Sequence, residues 1–152
     1  MLSTIGYEGA SLEDFISTMR EAGIEVLIDI RERAQSRRKG FSKTALSEAL
    51  ADAGIEYIHL RELGDPKQGR DAARRGDWKE FRRVFNGVLR SNSAKEGIDR
   101  ISSIASGRSV CLLCYERDEK TCHRKIVSEI VESRLCTKTR HLGVRRLERA
   151  AA

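Results

Sequence analysis

Five consecutive residues, Val110-Cys111-Leu112-Leu113-Cys114, constrain this chain more than any others. They are apolar or weakly polar with no alternation, the pattern of a strand covered on both faces, as in parallel sheets. A polar turn, Glu116-Arg117-Asp118-Glu119-Lys120, follows almost at once, and Thr121 opens a helical pattern. A strand that stops at a polar turn and feeds a helix leaves a crevice at its carboxyl end. Open α/β sheets bind ligands there, and a helix N-terminus favours an anion. Cys114, Glu116, Cys122, His123 and Arg124 all fall within eleven residues of that edge.

The same grammar runs through the rest of the chain. Residues 2–6 form a first strand, followed by the glycine-flanked turn 6–9. Ser11 and Asp14 resemble a helix-opening cap. Leu12, Phe15, Ile16 and Met19 then repeat at helical spacing, and Gly23 is the stop. Residues 24–30 form a second strand around the uninterrupted Val26-Leu27-Ile28. Ser42 caps a helix whose inner face is Ala45, Leu46, Ala49 and Leu50, and residues 55–60 are a third strand. The segment 61–76, with the only proline and three glycines, reads as a long loop, functional or mobile. Asp77 caps a helix carrying Trp78, Phe81, Val84, Phe85 and Val88. A further helix, 94–105, precedes the strand at Val110. The helix from Thr121 carries Ile126, Val127, Ile130 and Val131, and 137–142 is a short last strand.

Each crossover is long enough for a right-handed β-α-β unit. The expected fold is therefore α/β: a single three-layer domain, with a mostly parallel sheet of about five strands and helices on both faces. It spans residues 1–144, and 145–152 is a basic C-terminal tail. A chain of 152 residues can bury a core of its own. No apolar run approaches the roughly 20 residues that span a bilayer, and the first residues lack the basic and apolar regions of a signal peptide. Four irregularly spaced cysteines then read as reduced thiols, and the expected location is cytoplasmic, away from membranes.

The net charge of +6 favours an anionic partner, a small molecule or nucleic acid. With 5% aromatic residues, few side chains are left for a base-stacking platform. The loop 31–39 holds five positive side chains (Arg31, Arg33, Arg37, Arg38 and Lys39) and one negative, Glu32. It follows a strand, as do His59 and Arg61. If the strands are parallel, these groups share one edge with Glu116, His123 and Arg124. Arginine suits bidentate contacts to phosphate or carboxylate. No dinucleotide or nucleoside-triphosphate glycine motif occurs.

The cysteines invite a zinc reading through Cys111-x-x-Cys114, but residues three apart on a strand face opposite sides. Cys111 is therefore a core thiol, Cys136 is packing, and no metal site or cofactor is expected. Cys114 and Cys122 differ, because thiolates near helix N-termini are stabilised and reactive. Glu116 and His123 could serve such a thiolate as acid or base.

These residues resemble the bacterial and archaeal family known as domain of unknown function 488. The matching pieces are Thr4-Ile5-Gly6-Tyr7, Leu27-Ile28-Asp29-Ile30-Arg31, Ser36-Arg37, Phe41, Tyr57-Ile58-His59-Leu60 with Leu63-Gly64, and Cys114-Tyr115-Glu116 through Cys122-His123-Arg124. They run in order over nearly the whole chain. Ala34 stands where the family commonly has proline, and Cys111 lies outside the pattern. The resemblance implies a small α/β domain and no particular activity. A weaker similarity is to rhodanese-like domains, through Asp29-Ile30-Arg31 and Leu113-Cys114. There the acidic Glu116-Arg117-Asp118-Glu119 departs from a cradle of small and basic residues.

The leading expectation is an anion-binding crevice that binds or acts on a phosphate-bearing ligand, nucleic acid included. Arg31, Ser36, Arg37, His59, Cys122 and Arg124 are the candidate ligand contacts, and Cys114, Glu116 and His123 the candidate catalytic groups. Two alternatives stay open: a cysteine-dependent sulfur-transfer or redox enzyme, and a non-enzymatic nucleic-acid binder. The residues do not choose between binding and catalysis, and they specify no oligomeric state.

Overall fold

A computed structural model describes residues 1–147. The strands are β1 (Leu2–Gly6), β2 (Val26–Asp29), β3 (Glu56–His59), β4 (Val110–Cys114) and β5 (Thr139–Leu142), all paired in parallel in the order β3-β2-β4-β1-β5. The helices are α1 (Leu12–Glu21), α2 (Lys43–Asp52), α3 (Lys67–Arg74), α4 (Trp78–Leu89), α5 (Asn92–Ala105) and α6 (His123–Leu135). Short 3-10 turns occupy Arg61–Leu63 and Glu119–Thr121. This is the three-layer parallel α/β domain that the strand-helix alternation implies. Among the described residues, no helix is long and apolar enough to cross a membrane.

The apolar runs divide residue by residue between the two faces of the sheet. Val110 and Leu112, with Val26 and Ile28, pack against Phe85, Ile98, Ile101, Val127 and Val131 of α4, α5 and α6. Cys111 and Leu113, with Leu27, pack against Phe15, Met19, Leu46 and Leu50 of α1 and α2. Each such large side chain, once buried, contributes about 1.5–3 kcal/mol. Period-two facing therefore places Cys114 on the α6 side, opposite Cys111.

Strand β4 lies between β1 and β2. The chain leaves β1 and β2 toward α1 and α2 on one face, and leaves β4 toward α6 on the other. Loops that part in this way open a crevice at the carboxyl ends of the strands, the switch point of a doubly wound sheet.

Four readings of the sequence change. The segment 61–76 is not a long loop: it holds a 3-10 turn and the eight-residue α3. That helix buries only Gly69 and Ala72, so it has no apolar stripe to betray it. The helix after β4 starts at His123 rather than Thr121, with Cys122 as its N-cap. Cys136 is exposed and left-handed (φ 51°) at the end of α6, not a packing residue. The last strand is shorter than expected, at Thr139–Leu142. In the basic tail, the amide of Arg145 donates to Thr18 Oγ1 and that of Leu147 to Asp14 Oδ1. Its residues 148–152 lie outside the described residues.

Candidate functional site

A crevice of about 830 Å3 opens at the carboxyl ends of the strands. Arg31, Arg33, Arg37, Arg38, Arg70 and Arg74 line it together with Ser36, Cys114, Glu116, Cys122, His123 and the acids Glu32 and Asp65. A smaller cleft of about 310 Å3, beside Glu8 and Arg117, contains none of the candidate residues.

The arginines do unlike things. Arg31 is buried: its Nε donates to Asp29 Oδ1 (2.9 Å) and its Nη2 to Asp29 Oδ2 (2.7 Å), while Nη1 donates to Phe41 O (2.7 Å) and Tyr7 Oη (3.2 Å). Tyr57 adds its hydroxyl to Asp29 Oδ2 at 2.5 Å. Arg31 thus pins the loop 31–41 to β2, with most of its donors spent. Arg38 donates to Ala10 O, and Arg70 to Glu32 (3.0 Å) and Asp65 O (2.7 Å). Arg33 and Arg37 are exposed, and their side chains have no hydrogen-bond or ion-pair partner among the described residues. Their guanidiniums keep all their donors for a ligand.

Ser36 lies in the wall; its hydroxyl accepts from the Arg38 amide, and its own amide donates to Ser42 Oγ. His59 is not among the lining residues: its Nε2 donates to Arg31 O at 2.7 Å, which braces the loop from the side of β3. Arg124 is not a lining residue either. It is fully buried, and it donates to Thr4 Oγ1 (3.2 Å), Cys114 Sγ (3.1 Å), Glu116 O and Arg117 O (3.0 Å). Burial pulls its guanidinium below the ordinary value, and the nearby Glu119 and Glu116 oppose that pull. Arg124 shapes the turn after β4 and faces the sulfur of Cys114.

Cys114 and Cys122 are joined as a disulfide, with their Cα atoms 7.6 Å apart, where the sequence reading expected reduced thiols throughout; only Cys111 and Cys136 are free among the described residues. Cys122 accepts from the amide of Arg124 at the first turn of α6 (3.5 Å). His123 is buried, and its Nε2 donates to Ile30 O at 2.8 Å, so Nδ1 carries the free lone pair, 3.6 Å from Cys122 Sγ. Burial pulls His123 down to about 4, so it is neutral at physiological pH. Burial also raises the Glu116 carboxyl. On the opposite face, burial raises the Cys111 thiol far above its ordinary value, which suits an inert core residue.

Asp65 belongs to this site, and sequence reasoning passed over it. It is buried, its Oδ1 has no hydrogen-bond partner, and burial pushes it up to about 7. It sits against Gly69, where a Cβ would overlap Oδ1. A carboxyl that titrates near neutrality in a crevice can give or take a proton. The only signal in the sequence was Gly64-Asp65-Pro66 itself, which reads as an ordinary turn. Arg70 and Arg74 were missed for the same reason as α3.

No curated protein and no solved structure matches the chain. A family model does, over residues 11–131, and its description is "Domain of unknown function DUF488". The match takes in β2, β4, the turn after it and the start of α6, which is the frame of the crevice just described, and the chain belongs to that family.

Proposed function

We propose that the protein binds, in this crevice, a ligand carrying phosphate or a like anion, with nucleic acid among the substrates of that class. One observation carries the reading. Arg33 and Arg37 face the crevice with unspent guanidiniums, on a loop that the Arg31–Asp29 pair holds in place. A loop backbone already held in place spares part of the ordering entropy that binding would otherwise cost, while the unpartnered guanidiniums keep their donors for the anion. Asp65 and Glu116, both with raised carboxyl values, stand ready for proton transfer if the anion is also transformed.

Titration of inorganic phosphate and a short oligonucleotide against the wild type and Arg37→Ala tests this. The variant should bind more weakly by about 1–3 kcal/mol, the scale of a lost charge-assisted hydrogen bond. Binding by both proteins should weaken as salt rises. Equal affinities for the two proteins would reject the role of Arg37.

A second reading is cysteine-dependent sulfur-transfer or redox chemistry, favoured by the proximity of Cys114 and Cys122 beneath the same crevice. Alkylation separates the two readings: blocking the thiols abolishes this chemistry, whereas phosphate still binds at Arg33 and Arg37.

A further inference from the structure

Cys114 Sγ, Cys122 Sγ and a carboxylate oxygen of Glu116 lie within 4.8 Å of one another, the only such group of three potential ligands among the described residues. The elements bring them together for separate reasons. Cys114 ends β4 on the α6 side of the sheet, Cys122 caps α6, and Glu116 sits in the turn that Arg124 holds by its carbonyls. We propose that these three side chains form a binding site for a zinc-class divalent cation, with a fourth coordination position open to the crevice.

Four observations carry the proposal. The donor set, two thiolates and one carboxylate, suits zinc and ferrous iron and is poor for magnesium or calcium. Three protein ligands with one open position is the pattern of zinc sites that bind substrate rather than only stabilise a fold. The Cα separation of 7.6 Å exceeds the usual 4.4–6.8 Å of a disulfide. It leaves room for the two sulfurs to part to about 3.8 Å, the span across a tetrahedral ion with Zn–S bonds of about 2.3 Å. Finally, the surroundings are those of an outer shell. Arg124 Nη1 donates to Cys114 Sγ, and its amide donates to Cys122 Sγ. Such donors orient ligands and stabilise their anionic form.

The charges also balance. Two thiolates and a carboxylate bring three negative charges. A divalent cation leaves one, and the buried guanidinium of Arg124 cancels it. On binding, the two thiols lose their protons to solvent, two protons per ion, so affinity rises with pH. An anion drawn in by Arg33 and Arg37 would then meet the ion at its open position.

The site forms only with both sulfurs reduced, so the test uses the full chain in a phosphine reductant, without oxygen. Cobalt(II) is titrated as the probe. The expected result is one equivalent bound, with thiolate-to-cobalt charge-transfer absorption, and displacement by zinc. Cys114→Ser and Cys122→Ser should lose the band. Glu116→Gln should weaken binding roughly tenfold or more, and Cys136→Ser, at an exposed residue, should leave it unchanged. If either serine variant fails to fold, X-ray absorption of the zinc-loaded wild type decides, with two sulfurs expected at about 2.3 Å. A fully reduced protein that shows no charge-transfer band, or a zinc shell without sulfur, overturns the proposal. Phosphate titration of the metal-free protein runs alongside. A cobalt band without phosphate binding counts against the anion reading alone, and phosphate binding without a band against the metal site alone.

Discussion

Arg124 points Nη1 at the sulfur of Cys114 across 3.1 Å, and among the described residues no carboxylate stands within ion-pair distance of that guanidinium. Buried charges are normally paired. The carbonyls of Glu116 and Arg117 supply part of the compensation. The guanidinium therefore ties the end of β4 to the turn that follows it, with its charge left at the base of the crevice.

Arg124→Ala should cost about 3–5 kcal/mol, the scale for breaking a buried charged network. Arg124→Lys should recover only part of this, because one ammonium cannot reach both carbonyls and the sulfur. Urea unfolding measures both variants. A loss below about 1 kcal/mol for the alanine variant would show that the guanidinium is not holding the turn.

Arg31→Ala and Arg37→Ala should differ sharply, although both residues sit on one basic loop. The first leaves Asp29 buried with Tyr57 as its remaining side-chain donor and should destabilise by about 3–5 kcal/mol. The second touches an exposed side chain and should stay within about 0.5 kcal/mol. Equal thermal shifts for the pair would contradict the division between structural and ligand-facing arginines.

Burial holds Asp65 up to about 7, against about 3.9 in an unfolded chain. The folded protein therefore binds that proton more tightly, and Asp65 makes stability fall as pH rises from about 4 to 7. Glu116 acts in the same direction. His123, pulled down to about 4 from about 6.5, does the opposite: its contribution is lost as pH falls through that interval. The two effects oppose each other below about pH 6.5. Asp65→Asn should leave His123 less opposed, so the variant gains stability from about pH 4 to 6.5 more steeply than the wild type. At about pH 8 it should be the more stable protein, by about 1–3 kcal/mol. Thermal melts across that range check the profile, and superimposable curves would refute the raised carboxyl.

Gly6→Ala should disturb the site from a distance. A Cβ there would overlap the carbonyl oxygen of Glu116, a backbone atom that cannot swing aside. The expected cost is about 1–3 kcal/mol, as for other overpacked positions, and the Glu116 turn should shift with it. Wild-type stability together with unchanged cysteine alkylation rates would mean that the turn tolerates the methyl group.

The sheet could be read from the sequence because burial on two faces leaves uninterrupted apolar runs, as at Val26-Leu27-Ile28 and Val110–Cys114. The opposed facing of Cys111 and Cys114 follows from the same geometry: Cys111 lies in the core beside α1 and α2, and Cys114 meets Cys122 and Arg124 of α6. Helix α3 was illegible because it buries a glycine and an alanine, which leave no periodic signal. The crevice does gather Arg31, Ser36, Arg37, Cys114, Glu116, Cys122 and His123. What the sequence could not tell was which charges are buried. Arg31 and Arg124 look like surface cations in a string of letters, and Asp65 looks like a turn residue. Only packing distinguishes them from Arg37.

The register of the sheet has a consequence for synthesis. Strand β1 pairs with β4 and β5, Leu2 lying beside Val110 and Thr139, whereas β2 and β3 are neighbours in both sequence and space. At about 5–20 residues per second on a ribosome, β1 waits roughly 5–20 s for its first partner to be made. Until then the nascent chain can hold only the β2-β3 pair and local helices, with an apolar strand exposed to chaperones and to other chains. The crevice is correspondingly late: its central strand and both of its cysteines come from the segment that completes the sheet.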